Sequence, residues 1–293
     1  VLAPWLEPSF HPRSFGYRPK RGPFHALATA LHLADSSRRY TLLTADLQNA
    51  FGTVSVQRLL GLVGVRFGDA VRSLVQMLIG HRRRGLSQGA PLSPVLLNLF
   101  ADHFVDWPWQ RDCPGVPLFR YADDVLALCE NVSEAQDCER RLRQLLRPAG
   151  LQIKHESKAI VDVQRGAASW LGYEIHRQGS AWAIDVRPLA WATLESLLVE
   201  AQINPNSVTR CSEVIWGWLD SLGPAYAQPK VKSTAERIAA IAERCGFEEP
   251  PSTRKIRERW RRAWRRWKTV LSQTKSDWRH DRLDTESMMN PKF

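Results

Sequence analysis

Apolar positions along this chain follow two rhythms. Up to about residue 185, short continuous apolar runs alternate with stripes at helical spacing. Beyond 186 only helical stripes remain. Residues 40–45 (Tyr-Thr-Leu-Leu-Thr-Ala) predict a buried strand that leads into Asp46. The stretch 119–128 predicts a hairpin, two apolar strands with Asp123 and Asp124 at the turn between them. A short strand is expected at 151–154, and a strand at 170–175 pairing with 180–185. Helices are predicted over 23–35, 55–64, 69–80, 94–106 and 133–147, the last capped by Ser133 and ended by Gly150. Residues 107–117 hold three prolines and predict turns. The later helices are expected at 188–202, 207–222, 233–245 and 254–271, with a Ser233–Glu236 capping box opening the third. The fold class is therefore α+β: a mixed part over 40–185 and a helical part over 186–271. Before them lies an entry segment at 1–39, irregular over 1–24 where Pro, Gly and aromatics concentrate and helical over 23–35. After them comes a polar tail at 272–293, expected to fray.

The polar residues that interrupt this pattern carry the candidate chemistry. A carboxylate at the end of an apolar strand, as at Asp46, needs a partner or a cation to offset desolvation; an N-cap role is the plainer alternative. Adjacent carboxylates at Asp123 and Asp124 repel, which favours a bound hard cation such as Mg2+ or Mn2+. If the strands ending at Asp46 and Asp123 are neighbours, three carboxylates converge. Two divalent ions could then serve phosphoryl transfer. The basic loop 14–22, with Arg18, Lys20 and Arg21, can meet phosphates; a solvated loop is the alternative. Residues 254–271 place Trp260, Trp264 and Trp267 on one face, surrounded by basic residues that include Arg262, Arg265 and Arg266. Such a helix can dock by its tryptophans and face nucleic acid with its arginines, or pack its tryptophans in a core beneath a solvated basic back.

Composition narrows the partners. Across 293 residues, 41 Lys and Arg against 30 Asp and Glu give a formal charge of +11, which suits a polyanion. Five cysteines without CxxC pairs read as reduced core thiols of a cytoplasmic protein. No apolar run approaches the ~18 residues of a membrane span, and the first residues do not resemble a signal peptide.

These motifs in this order resemble the reverse transcriptases, closest to the group II intron and bacterial group-II-like lineage. The resemblance runs from about residue 3 to about 175. It is carried by Leu6-Glu7-Pro8 through Ser14-Phe15-Gly16-Tyr17-Arg18-Pro19, by Asp46 with Phe51, and by Gln88-Gly89 with Ser93-Pro94. Tyr121-Ala122-Asp123-Asp124, Lys158 and Leu171-Gly172 complete it. A weaker echo, Ile215-Trp216-Gly217-Trp218 with Tyr226, resembles the intron-type thumb or maturase region. The resemblance implies a right-hand palm, an antiparallel sheet with helices on one face, followed by a helical thumb-like domain. It implies an RNA-directed DNA polymerase joining dNTPs to a DNA or RNA primer on an RNA template. Asp46, Asp123 and Asp124 would be the metal ligands. Phe51 would lie under the sugar of the incoming nucleotide, where a bulky ring leaves no room for a 2′-OH. Gln88 and Gly89 would shape the nucleotide pocket, with Arg18, Lys20 and Arg21 the nearby candidate cations for the triphosphate. Tyr121 would stack near the primer end. Lys158 would favour charge on the leaving phosphate or brace the palm.

The sequence also departs from that pattern. Gly52 stands where many members have a second Asp, and the hairpin before Gln88 is reduced to residues 81–85. The fingers region that precedes residue 3 in the family, with its triphosphate-gripping cations, has no counterpart here. Three readings stay open: a fragment, a partner protein that supplies fingers, or a protein that binds a structured RNA and polymerises little. The alternatives to a reverse transcriptase are accordingly a maturase-like RNA-binding protein with a retained palm and a template-independent polymerase of phage defence.

Overall fold

The structure, a computed structural model, describes residues 2–80 and 82–281. The chain divides into two compact units, Val1–Leu171 and Gly172–Phe293. The first unit opens with helix α1 (Ala3–Leu6), a 3-10 turn and a loop, then helix α2 (Pro23–Ser37), with Pro23 in its first turn where no amide partner is needed. Strand β1 (Thr41–Asp46) follows, buried at every residue but the last. Helices α3 (Ala50–Thr53), α4 (Val56–Phe67) and α5 (Asp69–Ile79) come next. The side chains of Asn49 and Ser55 cap α3 and α4. A turn through Gln88 and Gly89 leads into α6 (Ser93–Ala101). The helical run then passes through a π-type turn, Asp102–Asp106, into α7 (Trp107–Asp112). The prolines at 107–117 therefore do not all make turns: Pro108 sits in the first turn of α7, a position that tolerates it.

Strands β2 (Leu118–Tyr121) and β3 (Asp124–Cys129) form the hairpin expected at 119–128. Helix α8 (Val132–Ala149) ends at Gly150 as expected, but its cap is Asn131, whose side chain accepts the Glu134 amide; Ser133 lies one step inside the helix. No strand forms at 151–154; only Ile153 makes an isolated bridge, to Leu47. Strands β4 (Ala159–Asp162) and β5 (Ala168–Trp170) complete the first unit. Its four-stranded sheet has the order β2-β3-β1-β4, antiparallel throughout. Helix α8 packs on β1, β3 and β4, and Leu43, Val125, Ala127, Leu142 and Leu146 share one apolar core with Leu96, Phe100 and Trp109.

The second unit begins with a hairpin, β6 (Tyr173–Gln178) and β7 (Ala181–Val186). Four helices follow: α9 (Pro188–Gln202), α10 (Ser207–Ser221), α11 (Val231–Arg244) and α12 (Thr253–Asp281). The hairpin belongs with the helices, whereas the sequence placed it before them. The Tyr173 hydroxyl donates to the Ser221 carbonyl, and Lys230 pairs with Asp185 at 2.6 Å. The capping box at Ser233 is not used. Helix α11 starts two residues earlier, and the Ser233 hydroxyl donates back to the Lys230 carbonyl. Helix α12 runs on to Asp281, well past the end expected at 271; the tail at 282–293 lies outside the described residues. No described helix is long and apolar enough to cross a membrane.

Candidate active site

Sheet register brings the sequence-predicted carboxylates together. Asp46 is the direct cross-strand partner of Asp124, and Asp124 in turn faces Tyr121. Directly opposed residues point to the same face, with α-carbons about 4.5–5.5 Å apart. Asp46, Asp124 and Tyr121 thus form one row at the end of the sheet. Asp123 occupies the turn beside them, and its carbonyl accepts the Leu47 amide at 3.0 Å, which ties that turn to the end of β1. The first residue of the turn, Ala122, has φ 57°, a left-handed conformation costly for a residue with a β-carbon. Asp46 is not a helix cap; Asn49 takes that role for α3. The three half-buried carboxylates are hard oxygen donors and chemically suit a divalent cation. Among the described residues, however, no group of three or more acidic, His or Cys side chains is gathered closely enough to hold a metal.

An aromatic pair borders this row. The Tyr17 ring meets Phe51 edge-on at 6.0 Å. Burial, and then the Asp123 carboxylate, push the Tyr17 phenol above its ordinary pKa; burial and Tyr17 do the same for Tyr121. Phe51 lies in α3 and its carbonyl accepts the Leu86 amide at 2.8 Å, which joins it to the loop leading to Gln88. Gln88 and Gly89 are exposed at their turn, and Gly89 has φ 85°, a conformation that suits glycine.

Other predicted residues are placed differently. Arg18 is buried: its guanidinium donates to the Glu7 carboxylate and to the carbonyls of His11 and Ser14, so it braces the N-terminal loop. Lys158 reaches Glu139 of α8 at 2.9 Å. Burial opposes ionisation of Glu139, but hydrogen bonds from Lys158 and Arg143 outweigh it and hold the carboxyl below its usual range. In α12, Trp260 and Trp267 are buried, and the Trp260 indole donates to the Leu222 carbonyl at 2.8 Å. Arg262 and Arg265 are exposed on the opposite side, and Arg266 pairs with Asp220 at 2.7 Å. Trp260 and Trp267 are therefore core, Trp264 is half-buried, and Arg262 and Arg265 are left facing solvent, where a polyanion can reach them.

The sequence reading missed a buried polar layer under the turn. Arg120 is only 1% exposed. Its Nε bonds the Asp106 carboxylate at 2.9 Å, and its other nitrogens donate to Asn98 at 3.0 Å, Ser14 at 2.8 Å and the Ala122 carbonyl at 3.1 Å. Asn98 then donates to the Gly16 carbonyl at 2.7 Å. Gly16 lies so close to the turn that a β-carbon there would stand 2.2 Å from the Ala122 nitrogen. Asp102 joins the layer by accepting the His11 amide at 2.7 Å. Burial, and then Asp106, push the Asp102 carboxyl up to about 7. Burial pulls the His11 imidazole down to about 4, against an opposing pull from Asp106. Asp102 and Asp106, with Asn98, sit four residues apart in turn on a mostly apolar helical run, which is the signal that could have found them.

The family profile "Reverse transcriptase (RNA-dependent DNA polymerase)" matches residues 1–175. The chain belongs to this family. A reverse transcriptase-like protein of Chlamydomonas reinhardtii is 25% identical over 185 residues, covering 57% of this chain and 48% of its own length. Protein YkfC of Escherichia coli K12 is 31% identical over 129 residues, 39% of this chain and 34% of its own. This reverse transcriptase family chain thus spans less than half the length of those curated relatives. Among solved structures, apo telomerase of Candida tropicalis covers 93% of this chain and 57% of its own, at 10% identity and a TM-score of 0.50. That likeness is one of fold alone, and it agrees with an α+β palm-type sheet accompanied by helices.

Proposed function

We propose that this chain is the palm and thumb portion of an RNA-directed DNA polymerase, with residues 1–171 the palm and the helical unit the thumb. The observation that carries the reading is the register of Asp46 against Asp124, tied to the Asp123 turn, in a chain of the reverse transcriptase family. Template RNA, a DNA or RNA primer and dNTPs are its substrates. Asp46, Asp123 and Asp124 are the residues that would hold divalent cations, Mg2+ or Mn2+. Such ions, when bound, lower the pKa of a primer 3′-hydroxyl and neutralise charge on the transferred phosphate. The chain's own part is placement. The antiparallel ladder fixes two of the carboxylates, and Arg120 holds the turn that carries the third. The Phe51 ring, backed by Tyr17, forms the floor on which a deoxyribose rests, and it excludes a 2′-OH. Tyr121 shares the carboxylate row and is placed to meet the primer end.

A second reading draws on the absence of a gathered three-carboxylate cluster among the described residues: a maturase-like RNA-binding protein on a retained palm. Primer extension with the full chain, an RNA template and Mg2+ or Mn2+ separates the two. With Asp123→Ala, synthesis should fall by ~10³-fold or more while RNA affinity stays within about twofold, since one placed charge is worth that much in rate. Synthesis that persists in this variant ends the polymerase reading. RNA binding without synthesis by the unsubstituted chain favours the second.

A further inference from the structure

We propose that Arg82, Arg83 and Arg84 form a phosphate-binding site beside the Phe51 segment of the proposed nucleotide floor. The site would take the phosphates of a polynucleotide strand or of a nucleoside triphosphate. This inference rests on the polymerase reading and names the cations of that site.

Three observations support it. The first is charge without a counter-charge. All three side chains are exposed, and no carboxylate among the described residues pairs with any of them. Three adjacent guanidiniums repel one another, and a bound polyanion relieves that repulsion. The contrast with Arg18 is direct, because every donor bond of that guanidinium is made inside its own loop. Arg21 donates to the Pro12 carbonyl and lies 3.8 Å from Glu7.

The second observation is that the run is pinned. The Val56 amide donates to the Arg83 carbonyl at 3.3 Å, and Arg84 bridges Ser55. The Gly85 amide donates to the Val54 carbonyl at 2.9 Å, and the Leu86 amide to the Phe51 carbonyl at 2.8 Å. A basic segment held by its backbone gives up less conformational freedom when it meets an anion than a free loop would.

The third is location. The backbone bond from Leu86 ties the run to Phe51. The Phe51 ring touches Tyr17, and the Tyr17 phenol lies within the field of Asp123. On the other side the same run leads in four residues to Gln88. The arginines therefore lie next to the segment tied to Phe51, whose ring partner Tyr17 belongs to the proposed nucleotide floor. Phosphates of a nucleotide on that floor need cations beside it.

The test replaces Arg82, Arg83 and Arg84 together with Ala in the full chain, beside a variant with Lys at all three. Both should keep the unsubstituted melting temperature, because the side chains are exposed. If strand phosphates are the ligand, the log–log salt slope of primer–template binding falls by roughly 2–3 in the Ala variant, at ~0.9 per lost phosphate contact. The Lys variant keeps most of that slope. If the triphosphate is the ligand, KM for dNTP rises about tenfold or more with the slope unchanged. A folded Ala variant whose slope and KM both match the unsubstituted chain overturns the proposal. Should the unsubstituted chain not extend primers, the polymerase reading fails by itself. The salt slope and a titration with inorganic tripolyphosphate then still decide the loop: loss of either in the Ala variant supports the site, and loss of neither rejects it.

Discussion

Arg120 of the first unit and the arginines on the back of α12 in the second are used in opposite ways. In the first, Arg120 lies inside the protein, where its guanidinium serves a carboxylate, an amide, a hydroxyl and a turn carbonyl at once. In the second, Arg262 and Arg265 stand in solvent on the back of α12, while Trp260 and Trp267 fill the core beneath them. An arginine buried and fully bonded sets geometry. An exposed one supplies charge that a partner can use. The contrast predicts different failures when each is removed.

The largest effect is expected at Arg120. Replacement by Ala strands the Asp106 carboxylate in the interior, at a cost of about 3–5 kcal/mol in denaturant melts. It also frees the Asp123 turn, so whatever folded fraction remains should lose kcat before it loses RNA affinity. A melt within ~1 kcal/mol of the unsubstituted chain would break the comparison. Trp260→Ala should cost a similar ~3–5 kcal/mol through cavity formation and the loss of the bond to Leu222. It would do so without the turn-specific loss of kcat.

The buried layer around Arg120 should also show in pH dependence. Asp102 holds its proton up to about 7, against 3.8 for an ordinary Asp. Its contribution to stability is therefore full below ~3.8 and is lost as pH rises toward 7. His11 titrates near 4 rather than 6.5, so its contribution is present above 6.5 and is lost as pH falls toward 4. Between those limits the two nearly cancel. In Asp102→Asn only the His11 part remains, and stability should drop by ~3 kcal/mol from pH 6.5 to 4, at ~1.4 kcal/mol per pH unit. His11→Asn should reverse the slope. Melts at stepped pH that move in parallel for all three proteins would refute the assignment. The smallest effect belongs to the exposed back of α12. Arg262→Ala and Arg265→Ala should each leave stability within about 0.5 kcal/mol and lower the salt slope of RNA binding by ~0.9.

Much of the first unit could be read from the chain. The run 40–45 and the hairpin at 119–128 became adjacent strands, because uninterrupted apolar segments have few ways to hide except inside a sheet. The meeting of Asp46 with the Asp123–Asp124 turn was conditional on their strands being neighbours; β1 and β3 are neighbours, with Asp46 opposite Asp124. Cap positions were harder. Ser133 and Ser233 both carry a suitable hydroxyl, yet each lies inside its helix, because Asn131 caps α8 and α11 starts earlier at Val231. Arg18 and Lys158 looked like free cations, since the sequence gives no hint that Glu7 and Glu139 fold against them.

The chain by itself determined where most strands and helices lie, which residues carry charge, and that three carboxylates end or join apolar strands. These follow from local periodicity and composition. Only the tertiary structure decided which charges are already consumed inside the protein and which still face outward. That choice separates Arg18 and Arg120 from Arg82, Arg83 and Arg84, and it depends on contacts between residues as far apart in sequence as Ser14 and Arg120. Spacing along a chain fixes the face of an element, but a partner at long range fixes whether that face is bonded or open.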